Sequence, residues 1–192
     1  MALAAVVAAL LLCGPCAAHD LVAAEAGLAS QRHPHWALRL ALPGVPNLHR
    51  VSPGLYRGAQ PTAAGFRELR RIGVKTVVSL RAFHTDATLI GGMGFAYERI
   101  RFQVWHPDDS ELHRFIAIAR DPRRQPVFVH CLRGADRTGV AVAAYRVCVD
   151  GWTREEALAE MTRGGFGFDR RWGHLARHVA ELDARRVCPP AP

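Results

Sequence analysis

Short apolar segments alternate along the chain with longer segments in which apolar residues recur at helical spacing. Runs rich in β-branched and aromatic residues predict strands near 55–56 and at 76–80, 96–100 and 127–130. Apolar residues three or four positions apart predict helices at 62–71, 112–119, 138–149, 153–163 and 171–184. Strands that alternate with helices indicate an α/β fold, with a small, mostly parallel central sheet flanked by helices.

The first 18 residues differ from the rest of the chain. They contain no Asp, Glu, Lys or Arg, and their apolar run at 3–12 is followed by the small residues Ala17 and Ala18. This pattern predicts a signal peptide at 1–18 and an exported protein, periplasmic or secreted, without a stable membrane span after cleavage. An uncleaved N-terminal anchor is the alternative. We expect a tether at 19–47 with a short helix around 36–42, a single domain at 48–186 and a C-terminal tail at 187–192.

Composition narrows the class of protein further. The chain has 192 residues, of which 49% are hydrophobic and 22% charged, which is typical of one globular domain and excludes a collagen, a coiled coil or a multi-span membrane protein. The net charge is +8, and Lys75 is the only lysine, so the cations are almost all arginine. Codon usage with a solvated surface, or an anionic partner, would explain this excess. Nucleic acid is disfavoured because no aromatic residues are interleaved in a basic run.

The number of cysteines suggests that one thiol has a reactive role. Cleavage after Ala18 leaves Cys131, Cys148 and Cys188, an odd number, so at least one is free or paired outside the chain. Cys148 lies on a predicted buried helix, where it is either a small apolar residue or the partner of Cys188 in a disulfide.

The segment at 126–139 carries the candidate chemistry. A predicted buried strand leads into Cys131, a loop containing Gly134 follows, and Arg137 and Thr138 open the next helix. Successive N–H groups of such a loop can converge on a tetrahedral oxyanion, and an arginine at the helix start can bind two phosphoryl oxygens. The same groups favour a Cys131 thiolate that attacks phosphorus and forms a phosphocysteine.

Other residues of this loop have predicted supporting roles. Gly134 is expected where a side chain would obstruct the oxyanion, and the Thr138 hydroxyl is expected to bond the Cys131 sulfur. Arg133 is either a second cation at the mouth of the pocket or a solvated rim charge. Asp136 orients Arg137 or a neighbouring loop, or caps the helix. The predicted substrate-binding residues are His130, Leu132, Arg133, Gly134, Ala135 and Asp136.

The sequence HCLRGADRTG at 130–139 resembles the HCxxGxxRTG signature of the cysteine-dependent protein tyrosine and dual-specificity phosphatases. The segments at 51–61 and 145–168 are similar to those of bacterial periplasmic tyrosine phosphatases, and the resemblance covers about 48–179. It implies a phosphatase domain at 48–186 and a buried His130 that tunes the thiolate. Arg57 and Gln60, in the first of these segments, are candidates to border the pocket.

The resemblance also implies a general acid on a loop upstream of the cysteine. Asp108 and Asp109 are the candidates, with His106 third, although either aspartate would also serve as a helix cap. Related periplasmic enzymes place the acid a few residues earlier, where this chain has Val104 and Trp105.

The expected substrate is phosphotyrosine in proteins, with phosphoserine and phosphothreonine possible. An inositol-phosphate or phospholipid phosphatase and a phosphate-binding pseudophosphatase are the alternatives. We expect no cofactor and no metal, because the loop and Arg137 supply the positive field. His174 and His178 have the spacing of metal ligands, but a solvated helix face is the preferred interpretation.

Overall fold

The computed structural model describes residues 33–190, and the unit that carries the fold begins at His35. The strands are β1 Leu38–Arg39, β2 His49–Ser52, β3 Leu55–Gly58, β4 Thr76–Ser79, β5 Ala96–Arg99 and β6 Val127–His130. The helices are α1 Ala63–Arg71, α2 Ala87–Ile90, α3 Asp109–Arg120, α4 Asp136–Cys148, α5 Arg154–Arg163, α6 Gly173–Ala180 and α7 Ala184–Val187, with a 3-10 helix at Arg170–Trp172. Thr153 and Glu156 form the predicted capping box at the start of α5.

All six strands form one sheet, in the order β1-β2-β3-β6-β4-β5. β3, β6, β4 and β5 run parallel, whereas β1 and β2 join the edge in antiparallel fashion, which confirms the predicted α/β fold with a mostly parallel sheet. The carboxyl ends of the four parallel strands therefore lie along one side of the sheet. We call this side the carboxyl edge, and the loops after β3 and β4 contact the residues at and after the end of β6.

The two central strands are buried on both faces. Phe128 of β6 and Val77 of β4 pack with α1 residues on one side of the sheet. Val127 and Val129 of β6 face the opposite side, where the large cluster contains residues of α3, α4, α5, α6 and α7. Residues buried on both faces read as continuous apolar runs rather than as alternation, which is why β6 was predictable from its sequence.

The segment before residue 48 differs from its prediction. The prediction of a short helix around 36–42 is wrong. Leu38 and Arg39 instead form β1 and pair with Arg50 and His49. Ala37, Val45 and Leu48 are buried, so this segment contributes to the core. The pairing of β1 with β2 supplies hydrogen-bond partners for the N–H and C=O groups on the outer edge of β2. A separate short helix at 36–42 would leave these groups to water.

The last predicted helix is interrupted. The segment at 171–184 forms part of the 3-10 helix and α6, and α7 then starts separately, because the Asp183 side chain accepts the N–H of Arg185. Val187 is buried and Cys188 forms a disulfide with Cys148, which attaches the start of the predicted tail at 187–192 to the end of α4. No helix within 33–190 is long and apolar enough to cross a membrane. The predicted signal peptide lies outside the described residues.

Candidate active site

Cys131 follows β6 directly at the carboxyl edge. Its side chain is 2% exposed, and it is the free cysteine of the described chain. The loop at 131–135 joins β6 to the first turn of α4, a helix of 13 residues whose positive dipole end faces the loop. The structure therefore places the predicted nucleophile where an anion is stabilised.

Donors outside the loop hold its carbonyl groups. The donors are Gln60 N–H to Leu132 O at 3.2 Å, Asn47 Nδ2 to Arg133 O at 2.9 Å, Arg57 Nη2 to Gly134 O at 2.9 Å and Gly139 N–H to Ala135 O at 2.7 Å. Because a trans peptide unit is planar, each carbonyl held on the outer side turns the next N–H towards the inner side. The N–H groups of 133–136, which share these peptide units, donate to no acceptor among residues 33–190 and are therefore available to an oxyanion.

Gly134 is required by the close packing of the loop against β3. Its φ is +69°, and an added Cβ would lie 2.3 Å from the carbonyl carbon and oxygen of Gly58. A side chain at this position would thus collide with the backbone at the end of β3. Gly134 lets the loop pack directly against that strand.

Arg137 contacts the end of β4, whereas the Thr138 hydroxyl makes no hydrogen bond in the described chain. Nη1 of Arg137 donates to the carbonyl of Leu80 at 3.4 Å, which places the half-buried guanidinium at the carboxyl edge, where β4 ends beside β6. Thr138 is fully buried in the first turn of α4, and its Oγ1 has no partner within the described chain. The predicted hydrogen bond to the Cys131 sulfur is therefore not formed here, and the hydroxyl remains an available donor.

Ion pairs compensate the charge of Arg133. Its guanidinium lies 2.8 Å from the carboxylate of Asp136 and 3.4 Å from that of Asp169. Asp136 also accepts the N–H of Asp169 at 2.9 Å, so it holds the neighbouring loop, which is one of the roles predicted for it. Leu132 is 54% exposed at the mouth of the site. Arg133 thus adds little net positive charge there.

A buried carboxylate, which no sequence motif indicated, lies behind the nucleophile. Asp86, in the loop after β4, is fully buried and lies 3.1 Å from Nε2 of His130 and 2.7 Å from Nε2 of Gln60. Burial raises the pKa of Asp86, but hydrogen bonds from His130 and Gln60 and the charge of His130 outweigh it and lower the pKa to about 2. Nδ1 of His130 lies 3.3 Å from the Cys131 carbonyl. A polar residue soon after a parallel strand was the only signal for Asp86.

The three candidate acids occupy a separate cleft. Asp108 accepts the N–H of Ser110 at 2.7 Å as the cap of α3, and this hydrogen bond lowers its pKa. Asp109 lies 3.1 Å from Arg186 and 3.5 Å from His178. His106 lines the same cleft, to which no residue of 131–137 contributes. The structure therefore brings these groups to one another but not to the loop.

One further carboxyl group, at the start of α3, has a strongly shifted pKa. Glu111, in the first turn of α3, has its pKa raised to about 7, first by burial and then by the charge of Asp108. Its Oε2 is buried without a hydrogen-bond partner in the described chain. Glu111 can therefore hold a proton near neutral pH, which no motif indicated.

The two histidines at metal-ligand spacing have separate partners. His174 Nε2 donates to the carbonyl of Val104 at 2.7 Å, and His178 lies beside Asp109. Within residues 33–190 no group of three or more His, Cys, Asp or Glu side chains is arranged to hold a metal ion.

Most of the chain is similar to proteins of a known family. Residues 48–171 match the family described as "DSP-PTPase phosphatase fused to NAD+ Kinase". The chain is 41% identical over 191 residues to the "Dual specificity protein phosphatase TpbA" of Pseudomonas aeruginosa strain UCBPP-PA14, covering 96% of this chain and 82% of the relative.

Solved structures agree with this comparison. The crystal structure of P. aeruginosa TpbA matches with a TM-score of 0.73 and 34% identity, covering 82% of this chain and 96% of that chain. A variant of the same protein, solved in complex with pTyr, matches with a TM-score of 0.71 at 34% identity and the same coverage. The catalytic core of the PP-IP phosphatase Siw14 from S. cerevisiae shares the fold, with a TM-score of 0.67 at 19% identity, covering 77% of this chain and 91% of that chain.

Proposed function

The chain belongs to the dual-specificity protein phosphatase family, and on this premise we propose that it is an exported enzyme that hydrolyses phosphotyrosine in proteins through a phosphocysteine. The observation that carries the proposal is the loop around Cys131, whose carbonyl groups are held outside it. The N–H groups of 133–136 are thereby left to bind the nonbridging oxygens of a phosphoryl group, together with the guanidinium of Arg137 at the start of α4.

The reaction takes place in two displacements at phosphorus. The Cys131 thiolate forms the sulfur–phosphorus bond while the bond to the tyrosine oxygen breaks, and the phenolate takes a proton from an acid or from water. A water molecule then attacks the phosphocysteine, inorganic phosphate leaves, and the thiolate is regenerated. The free hydroxyl of Thr138 can donate to the sulfur as it leaves.

The surface around the loop supports an aromatic substrate. Phe83, Trp105 and Leu132 are 93%, 61% and 54% exposed, and they belong to the loops that leave the carboxyl edge after β4, β5 and β6. Leu132 lies within the phosphate-binding loop itself, and an exposed apolar side chain there suits a phosphorylated tyrosine within a protein. Because Asp136 and Asp169 compensate Arg133, the site has less attraction for a polyanionic inositol phosphate.

Two observations support export. The uncharged apolar run at the N-terminus is typical of a signal peptide. The Cys148–Cys188 disulfide suits an oxidising compartment, since cytosolic thiols are mostly kept reduced. Cell fractionation followed by N-terminal sequencing tests this part, and a protein recovered unprocessed from the cytosol would contradict it.

The activity is tested with the purified protein and the Cys131→Ser variant. We expect metal-free hydrolysis of p-nitrophenyl phosphate, inhibition by vanadate and loss of turnover in the variant. Phosphotyrosine peptides should be hydrolysed faster than phosphoserine peptides or inositol phosphates. Turnover by Cys131→Ser would exclude the mechanism, faster inositol-phosphate hydrolysis would exclude the substrate, and phosphopeptide binding without turnover would indicate a pseudophosphatase.

A further inference from the structure

Arg57 of β3 is a buried charged side chain beside the loop that follows β6. It is 1% exposed and is among the largest fully buried side chains of the described chain. Its Nη2 donates to the carbonyl of Gly134 at 2.9 Å and, more weakly, to that of Ala135 at 3.5 Å. The guanidinium carbon lies 3.7 Å from the centroid of the Phe166 ring. The cation is thus surrounded by two carbonyl dipoles and an aromatic face.

No carboxylate in the described part of the chain lies within ion-pair distance of Arg57. The carboxylate of Glu160 is already bound by Arg146 at 2.9 and 2.8 Å. Burial lowers the pKa of Arg57 to about 10, while the negative charges of Glu160 and of a Cys131 thiolate oppose that shift. Arg57 is therefore still a cation at neutral pH, and a buried cation without a close counter-ion is costly unless an anion compensates it.

The two carbonyls held by Arg57 determine the direction of two N–H groups. Gly134 O and Ala135 N–H belong to one planar peptide unit and point in opposite directions, as do Ala135 O and Asp136 N–H. Donation from Arg57 to both carbonyls therefore turns the N–H groups of Ala135 and Asp136 towards the phosphate side of the loop. The same contact also polarises these peptide units, which strengthens their N–H groups as donors.

We propose that Arg57 is a positioning residue of the phosphatase site, which holds the peptide units 134–136 in the anion-binding orientation and provides a second, buried positive charge for the Cys131 thiolate and the phosphoryl group. This inference rests on the proposed phosphatase function. It assigns to β3 a part of the site that the sequence signature at 130–139 does not contain.

The test compares Arg57→Met and Arg57→Lys with a matched control, Arg70→Met. Arg70 also donates to a carbonyl, that of Val74 at 3.3 Å, and lies over an aromatic ring, that of Phe95, at 5.9 Å. Three quantities are measured in the full-length protein: the inhibition constant for inorganic phosphate, the pH at half-maximal alkylation by iodoacetamide, and the melting temperature. Alkylation is followed by mass spectrometry on the peptide that contains Cys131, so that other thiols do not contribute.

Arg57→Met should move the alkylation midpoint to higher pH, because the buried positive charge that interacts with the thiolate is lost. It should also weaken phosphate inhibition by about tenfold. Arg57→Lys should keep the alkylation midpoint, since the charge remains. It should still weaken phosphate inhibition, because one ammonium group lacks the planar fork that reaches both carbonyls. Arg70→Met should change neither quantity.

A purely structural role would lower the melting temperature and leave both other quantities unchanged, and that result for Arg57→Met would overturn the proposal. If Arg57→Met does not fold, wild-type phosphate inhibition in Arg57→Lys would overturn it. If the wild-type protein shows no turnover, the proposed function fails. In that case, the alkylation midpoint and calorimetric phosphate binding of the Arg57 variants, compared with those of the wild-type protein, would still test the role of Arg57.

Discussion

Gly134 shows at the scale of one residue how the phosphate loop depends on β3. Two separate features exclude a side chain at this position. The φ angle is positive, and an added Cβ would lie only 2.3 Å from Gly58. The left-handed conformation alone costs an alanine about 1–2 kcal/mol. The contact with Gly58 would in addition push the loop away from the strand, and Gly134 is therefore a position where stability and activity are coupled.

We expect Gly134→Ala to lose more than about 1–2 kcal/mol of unfolding free energy and at least about tenfold in kcat/KM. Gly151→Ala is the matched control, since its φ is +71° and nothing lies within 4 Å of the added Cβ. The control should show only the backbone cost, with unchanged activity. Urea unfolding and p-nitrophenyl phosphate kinetics measure both, and equal effects in the two variants would contradict this account.

Asp108 allows its two possible roles to be separated, because asparagine caps a helix as well as aspartate does but donates no acidic proton. From its contact with Ser110 we expect Asp108→Asn to keep both stability and the basic limb of the kcat profile. Asp108→Ala should lose about 0.5–2 kcal/mol of unfolding free energy as the cap is removed. Loss of the basic limb in Asp108→Asn would instead identify Asp108 as the general acid.

At the scale of elements, the disulfide joins the end of α4 to the residue that follows α7. It closes a segment of 40 positions, and Cys131 takes no part in it. A cross-link of this kind removes conformational entropy from the unfolded chain, with little effect on a site at the other end of α4.

The double variant Cys148→Ala/Cys188→Ala should therefore lose about 2–4 kcal/mol of unfolding free energy and keep its kcat. Reductant should destabilise the wild-type protein to a similar extent and leave the variant unaffected. Urea unfolding with and without reductant checks this, and a wild-type protein insensitive to reductant would argue against the bridge.

Elements with strong local signals were predictable, and those without were not. α5 has a capping box and β6 is a continuous apolar run, so both were located from sequence. β1 has only two residues, and its pairing with β2 is what defines it. The break before α7 depends on one side-chain contact of Asp183, which competes with helix continuation in a way that apolar spacing does not reveal.

At the scale of the whole molecule, stability should vary with pH through two carboxyl groups of opposite shift. The pKa of Asp86 is lowered to about 2, so its contribution is present above its usual pKa and is lost as the pH falls through about 2. The pKa of Glu111 is raised to about 7, so its contribution is present below its usual pKa and is lost as the pH rises through about 7.

We therefore expect Glu111→Gln to be more stable than the wild-type protein at pH 8 and to lose that advantage at pH 4.5. Asp86→Asn should be less stable than the wild-type protein at pH 7, because His130 loses its anionic partner. Urea midpoints across this pH range measure both effects. A pH-independent difference between Glu111→Gln and the wild-type protein would contradict the assignment to Glu111.

Of the groups that form the candidate site, the sequence predicted the reacting groups but few of the residues that hold them in place. Cys131 and Arg137 lie in one short motif, whose chemistry follows from the residue types and their spacing. The groups that hold the motif come from elsewhere: Asp86 is 44 positions from His130, Arg57 is 77 from Gly134, and Asn47 is 86 from Arg133. Contacts across such distances depend on strand order, which no local pattern specifies.

Asn47 belongs to the segment that the sequence suggested was only a tether, yet its amide holds the carbonyls of both Arg133 and Phe166. Because such contacts form when the chain folds, the loop is already ordered when a phosphate arrives. Its conformational entropy is lost during folding and not during binding. The affinity for phosphate is therefore partly determined when the chain folds. A substitution of Asn47 would weaken phosphate binding because the loop would regain conformational freedom, although no contact to the phosphate would be removed.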